Sequence, residues 1–267
     1  MVVCPDCDDM EIKLSFLSSF SAVELAIALF VAMLIFYLVG LRLSGRKQRS
    51  KIGPVESSVL GLLALLLAFT FGNASSRYDM RRHIIVEEAN NIGTAILRAD
   101  LYPEEERKGF RADFKDYVEA RIAFFEAGAD PAKHVETLRL ADEISKRLWA
   151  RAARLAQDRD NLIPSNQMVP ALNAMIDIVT TRNEGSLSRV PDLIIWMLFA
   201  LCCINSFIIG FEHSEEGKWR PGVIVFILAI TISVFIILDL DRPRRGLITL
   251  GPVNQNIVAL RQMFADD

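Results

Sequence analysis

The chain has 267 residues; 52% are hydrophobic, yet 24% are charged and the mean hydropathy is +0.29. These values coexist only if apolar and charged residues are segregated along the chain. A net charge of −3 and an isoelectric point near 5.7 give no reason to expect nucleic acid as a partner, and four cysteines do not make a disulfide framework.

The first residues are acidic (Asp6, Asp8, Asp9, Glu11), where a secretory signal is basic, so the first apolar segment reads as an uncleaved anchor. Cys4 and Cys7 form a lone CPDC, without the further ligands of a zinc site or the βαβ setting of a redox pair. Neither a metal nor a cofactor is expected. Four stretches then carry no charge: Leu25–Leu41, Ser57–Ser76, Leu193–Phe211 and Pro221–Leu238. Each is long enough for a helix to cross a hydrocarbon core of about 30 Å. The basic linker Arg42–Lys51 between the first two suits lipid headgroups. Most of the remaining charge lies in Arg77–Asp192. The predicted fold is therefore an all-α membrane protein: four transmembrane helices with a helical insert between spans two and three. Residues 1–76 hold the N-terminal tail and the first two spans. Residues 77–192 form a helical extramembrane domain continuous with span two, 193–240 the last two spans, and 241–267 a C-terminal tail.

No proline occurs from Val55 to Tyr102, so the second span is expected to run on as a stalk, one helix about 70 Å long. Gly61, Gly72 and Gly93 cost it only about 1 kcal/mol each. Pro103 followed by Glu104–Glu106 starts the next helix, whose apolar face is Phe110, Phe114, Val118, Ile122 and Phe125. Gly128 and Pro131 end it. Further helices are expected over Ala132–Gln157 and Gln167–Thr181. Glu87 and Glu88, beside Asn90 and Asn91, read as a solvated face rather than an acid–base pair. The chain has no phosphate-binding glycine loop, no nucleophile elbow and no HExxH, and no enzyme is predicted.

At the end of the second apolar run, NASSRYDMRR places Asn73, Arg77, Tyr78, Arg81 and Arg82 within three helical turns. One reading is an interfacial girdle, with tyrosine at headgroup depth and arginines reaching phosphates. The other is that this helix faces copies of itself, since polar groups at membrane depth turn toward protein or a water-filled cavity. They would then line the mouth of a pore.

The run LLLAFTFGNASSRYDMRRHIIVEEAN resembles the bestrophin pore helix, at Asn73, Arg77, Tyr78, Arg82 and Asn90. LDLDRPRRG after the fourth span resembles the acidic-Pro-Phe-Gly stretch of that family, through Asp241, Pro243 and Gly246, with Asp239 beside them. The closer likeness is to the bacterial membrane proteins labelled bestrophin-like. Two features depart from it: Arg244 stands in place of the phenylalanine, and the tryptophan pair near Arg77 is missing. The resemblance implies a homopentamer with one axial pore, passing anions or monovalent cations. Gly61 matches a neck glycine, which implies that Leu62, Leu66 and Phe69 face the axis, where a ring of apolar side chains gates by dewetting. Asp239 and Asp241 fall short of the roughly six to eight oxygens that calcium takes, so no calcium site is expected.

Topology signals conflict. The hairpin loops carry seven basic residues, five of them in Arg42–Lys51, while the two tails and the ends of the insert that flank the spans carry ten on the other side. Density favours cytoplasmic hairpin loops; the total and the resemblance favour a cytoplasmic insert, which is the orientation expected here. The expected function is a bestrophin-like ion channel in a bacterial inner membrane. Its partners are the bilayer, copies of itself and small inorganic ions. The rival is a non-conducting receptor or scaffold whose helical domain binds a protein.

Overall fold

A computed structural model describes residues 20–43, 53–128, 130–187, 189–212, 221–242 and 246–265, and among them there is no strand. In chain order the helices are α1 (Ala22–Leu43), α2 (Gly53–Ala99), α3 (Glu104–Glu126), α4 (Pro131–Leu155), α5 (Leu162–Leu187), α6 (Asp192–Glu212), α7 (Pro221–Leu240) and α8 (Gly251–Ala259). Short 3-10 turns sit at Arg159–Asn161 and Leu260–Phe264. The chain forms two units, residues 1–76 with 189–242 and residues 77–188 with 243–267. Helix α2 is unbroken over 47 residues and contributes to both.

The first unit holds α1, the start of α2, α6 and α7. Four helices, α2 among them, are long and apolar enough to cross a membrane. Ser21 and Glu24 open α1 as a capping box: the Glu24 carboxylate accepts the Ser21 N–H at 2.7 Å, and the Ser21 hydroxyl accepts the Glu24 N–H at 3.1 Å. Leu29, Met33 and Tyr37 of α1 pack with Leu198 and Cys202 of α6 and Ile227 and Val234 of α7. Gly40 and Gly210 let α1 and α6 meet at backbone distance. Two threonines in the spans bond back to the preceding turn, Thr70 donating to the Leu66 carbonyl and Thr231 to that of Ile227, both at 2.8 Å.

The second unit is a helical bundle. Ile85, Ala89, Ile92 and Ile96 of α2 pack with Phe110, Phe114 and Val118 of α3, Leu148 of α4, and Leu172 and Met175 of α5. Gly128, with φ at 59°, turns the chain between α3 and α4, and the Asp130 carboxylate caps α4 by accepting the Ala132 and Lys133 N–H groups. Helix α5 starts five residues before the expected Gln167 and ends six after Thr181. Pro164 lies in its first turn, where a missing N–H costs nothing, and Pro170 is carried inside the helix. The segment expected as a tail holds α8, which Pro252 opens. It buries Ile257, and Phe264 follows in the 3-10 turn. The bidentate pair Arg261–Glu119 ties that turn to α3.

Candidate functional site

Within the first unit, α2 is the span least covered by its own chain. Only 17% of its apolar stretch is buried, against 33% for α1 and α6 and 44% for α7. Leu63 is buried, and Leu66 and Leu67 pack partly into the core. Leu62, Leu65 and Phe69 turn away from it, at 53, 53 and 64% exposure. Their spacing of three and four sets them in one row along the helix. Leu66, expected beside Leu62 and Phe69, is half-buried, and Leu65 takes the exposed position between them. Gly61, Ala64, Ala68 and Gly72 are exposed as well, and a Cβ on either glycine would meet nothing within 4 Å. The row ends in exposed polar side chains, Asn73 and Ser76.

In the second unit, Arg77 and Tyr78 are half-buried, while Arg82 and Asn90 are exposed. The Tyr78 hydroxyl donates to the Thr249 carbonyl at 3.4 Å. Arg82 lies 3.6 Å from the Asp79 carboxylate and 6.0 Å from the centre of the Tyr78 ring. Arg81 behaves differently from its neighbours. It is buried and donates to the Gly185 carbonyl at 3.0 Å, near the C-terminal end of α5, where orphan carbonyls and the helix dipole favour a cation.

Asp239, in the last turn of α7, and Asp241, just after it, are both buried. Both oxygens of Asp241 accept the Val190 N–H, at 3.2 and 3.1 Å, which fixes the chain just before α6. Gly246 is half-exposed, and Pro243 and Arg244 lie outside the described residues, as do Cys4 and Cys7. Among the described residues no group of three or more His, Cys, Asp or Glu side chains could hold a metal.

Glu88 corrects the expectation of a solvated acidic face. Glu87 is exposed, but Glu88 has zero exposure. Its Oε1 accepts from Arg121 Nε at 2.5 Å and its Oε2 from Arg182 Nη1, while Arg182 Nη2 donates to Asn254 Oδ1 at 3.4 Å. Burial pushes the Glu88 carboxyl up, but the guanidinium groups of Arg121 and Arg182 outweigh it and hold it below its ordinary value. Burial also lifts the neighbouring Tyr117 hydroxyl to about 12. The signal available in the sequence was phase: Glu88 stands four residues from both Ile84 and Ile92, on the buried stripe.

The family model of the Bestrophin-like domain matches residues 22–254. No curated protein and no solved structure matches the chain. The match spans most of the sequence, including the four apolar helices and the helical unit between the second and third of them. The chain belongs to the bestrophin-like family.

Proposed function

We propose that this membrane protein is an oligomeric ion channel in which α2 of each copy faces a common axis, with five copies as the family resemblance implies. The observation that carries the reading is the sparse covering of α2. A span with 17% of its apolar stretch buried has the most surface left for partners, and it is also the span that leads into Asn73 and Ser76. Lipid suits the leucines but not the polar end of the row. Leu62 and Phe69 form the apolar neck with Leu65 between them, and Leu66, half-buried toward the core, lies beside that row. Gly61, Ala64, Ala68 and Gly72 beside the row let neighbouring copies of α2 approach closely. Asn73, Arg77, Tyr78, Arg82 and Asn90 form the mouth, where small inorganic anions or monovalent cations meet polar walls. Asp241 secures the return of the chain from the last span by holding the Val190 N–H, with Asp239 buried beside it. The membrane is a bacterial inner membrane, with the helical unit on the cytoplasmic side.

The test is reconstitution. Purified protein should be a symmetric oligomer by light scattering and should pass salt in liposomes. A monodisperse monomer in mild detergent, or an oligomer that conducts no ion under several salts and both polarities, would favour the scaffold reading.

A further inference from the structure

The cluster around Glu88 holds more positive charge than it neutralises. Arg121 and Arg182 are 0 and 8% exposed, and among the described residues Glu88 is the only carboxylate paired with either. The fixed charges of the three side chains sum to +1, out of reach of solvent. Burial pulls the Arg182 guanidinium below its ordinary value even beside Glu88, and the like charge of Arg121 adds to that.

The hydrogen-bond inventory is also incomplete. A guanidinium carries five N–H donors. Glu88 engages the Nε of Arg121, but Nη1 and Nη2 are buried with no hydrogen-bond partner among the described residues. The hydroxyl of Tyr117, one helical turn earlier on α3, is buried and unpartnered in the same way. Native cores leave few such groups, and an ordered water or ion is a common physical reason for them. Water would satisfy the donors and leave the charge. The Phe124 ring, centred 4.6 Å from the guanidinium carbon of Arg121 and 5.3 Å from that of Arg182, offers its face to both cations but no acceptor atom. A divalent oxyanion would overcompensate a single charge. Glu88, Arg121 and Tyr117 are all at or below 1% exposure, so only a small, enclosed species could meet those donors.

We propose that the helical unit binds one halide-sized monovalent anion, chloride in the cell, against Nη1 and Nη2 of Arg121 and the hydroxyl of Tyr117, bringing the Glu88–Arg121–Arg182 cluster to neutrality. The anion is a resident of the bundle, held by α3 and linked through the arginine and glutamate to α2 and α5. The site does not depend on the channel reading, because it lies wholly within the second unit and needs no second copy.

The direct test uses crystals of the full chain grown in bromide. An anomalous peak beside the Arg121 guanidinium is expected; water alone at that position, or bromide only elsewhere, overturns the proposal. In solution, the thermal midpoint of the detergent-solubilised protein is followed as chloride replaces gluconate, which is too bulky to enter, at constant ionic strength. The midpoint should rise and saturate. Tyr117→Phe should raise the half-saturating chloride concentration about tenfold or more, the loss of one hydrogen bond to an ion. Arg121→Met leaves a neutral Glu88–Arg182 pair and should abolish the dependence. An equal chloride response in wild type and Tyr117→Phe would mark a general salt effect and overturn the site, even if Arg121→Met fails to fold.

Discussion

Gly40 and Gly210 press backbone against backbone where α1 meets α6. A Cβ on Gly40 would lie 2.3 Å from the Phe207 carbonyl oxygen, and one on Gly210 would lie 2.2 Å from that of Tyr37. In lipid, such close packing supplies much of what holds two helices together. Alanine at either position must force the helices apart, at an expected cost of about 1–3 kcal/mol. Gly222→Ala is the control, since a Cβ there meets nothing within 4 Å. Thermal unfolding in detergent should show a lower midpoint for Gly40→Ala and Gly210→Ala and little change for Gly222→Ala. Equal midpoints in all three would contradict the contact.

The buried carboxylate makes a prediction about acid. Glu88 has its pKa depressed in the fold, so its ionised form contributes stability that is complete above the unfolded value of about 4.5 and is lost as pH falls through the folded value. The wild type should therefore show a steep loss of thermal midpoint on acidification below that value. Glu88→Gln leaves two buried guanidinium groups without a counter-charge, which costs about 3–5 kcal/mol at neutral pH. Its acid limb should be shallower. A variant as stable as wild type at pH 7 would refute the pairing.

The neck prediction separates two adjacent leucines. If the exposed row of α2 faces the axis, Leu65→Ser and Phe69→Ser wet the constriction and should raise liposome flux several-fold. A serine hydroxyl bonds back to the preceding turn, so the helix itself tolerates the change. Leu66→Ser removes a side chain packed against the core and should act mainly on stability, by about 1–2 kcal/mol after allowing for its partial exposure. The reverse order, with flux rising for Leu66→Ser alone, would rotate the pore-facing side toward Leu66. No change for any of the three, with the oligomer intact, would remove the neck from α2.

Orientation is checked with a reporter in the turn at Ala127–Gly128, between α3 and α4. The expected result is a cytoplasmic signal from a fluorescent or β-galactosidase fusion. Alkaline-phosphatase activity at that site would mean that the basic loop Arg42–Lys51 decides topology.

The legible parts of this fold were those where one physical demand dominates. Lipid excludes charge, so Leu25–Leu41 marked α1 to within three residues at either end. The absence of proline after Val55 foretold the unbroken α2, which spans Gly53–Ala99. Helix α5 extends beyond the expected Gln167–Thr181 at both ends: Pro164 falls in its first turn, and Pro170, inside the expected span, is carried in the helix between the buried Met168 and Leu172. Glu88 was hidden by composition: it stands next to Glu87 in a charged stretch, and only its register against Ile84 and Ile92 separates a buried acid from a solvated one. Arg121 and Arg182 lie 33 and 94 residues away from it, and no local pattern links them. The choice between Leu65 and Leu66 turns on 100° of helix rotation, which identical side chains cannot report.

The chain order of the second unit has a consequence for biogenesis. Its core is closed by Ile257 and Phe264, yet α6 and α7 are translated between α5 and those residues. At roughly 5–20 residues per second, the 63 residues from 188 to 250 take about 3–13 s to emerge. During that interval α2 to α5 are complete, but the surface of α3 that receives Phe264 and the Arg182 guanidinium that receives Asn254 are bare. The helical bundle can mature only after the last two spans have been delivered to the membrane, so a nascent chain stalled at insertion of α6 or α7 presents an open apolar seam to proteases and chaperones.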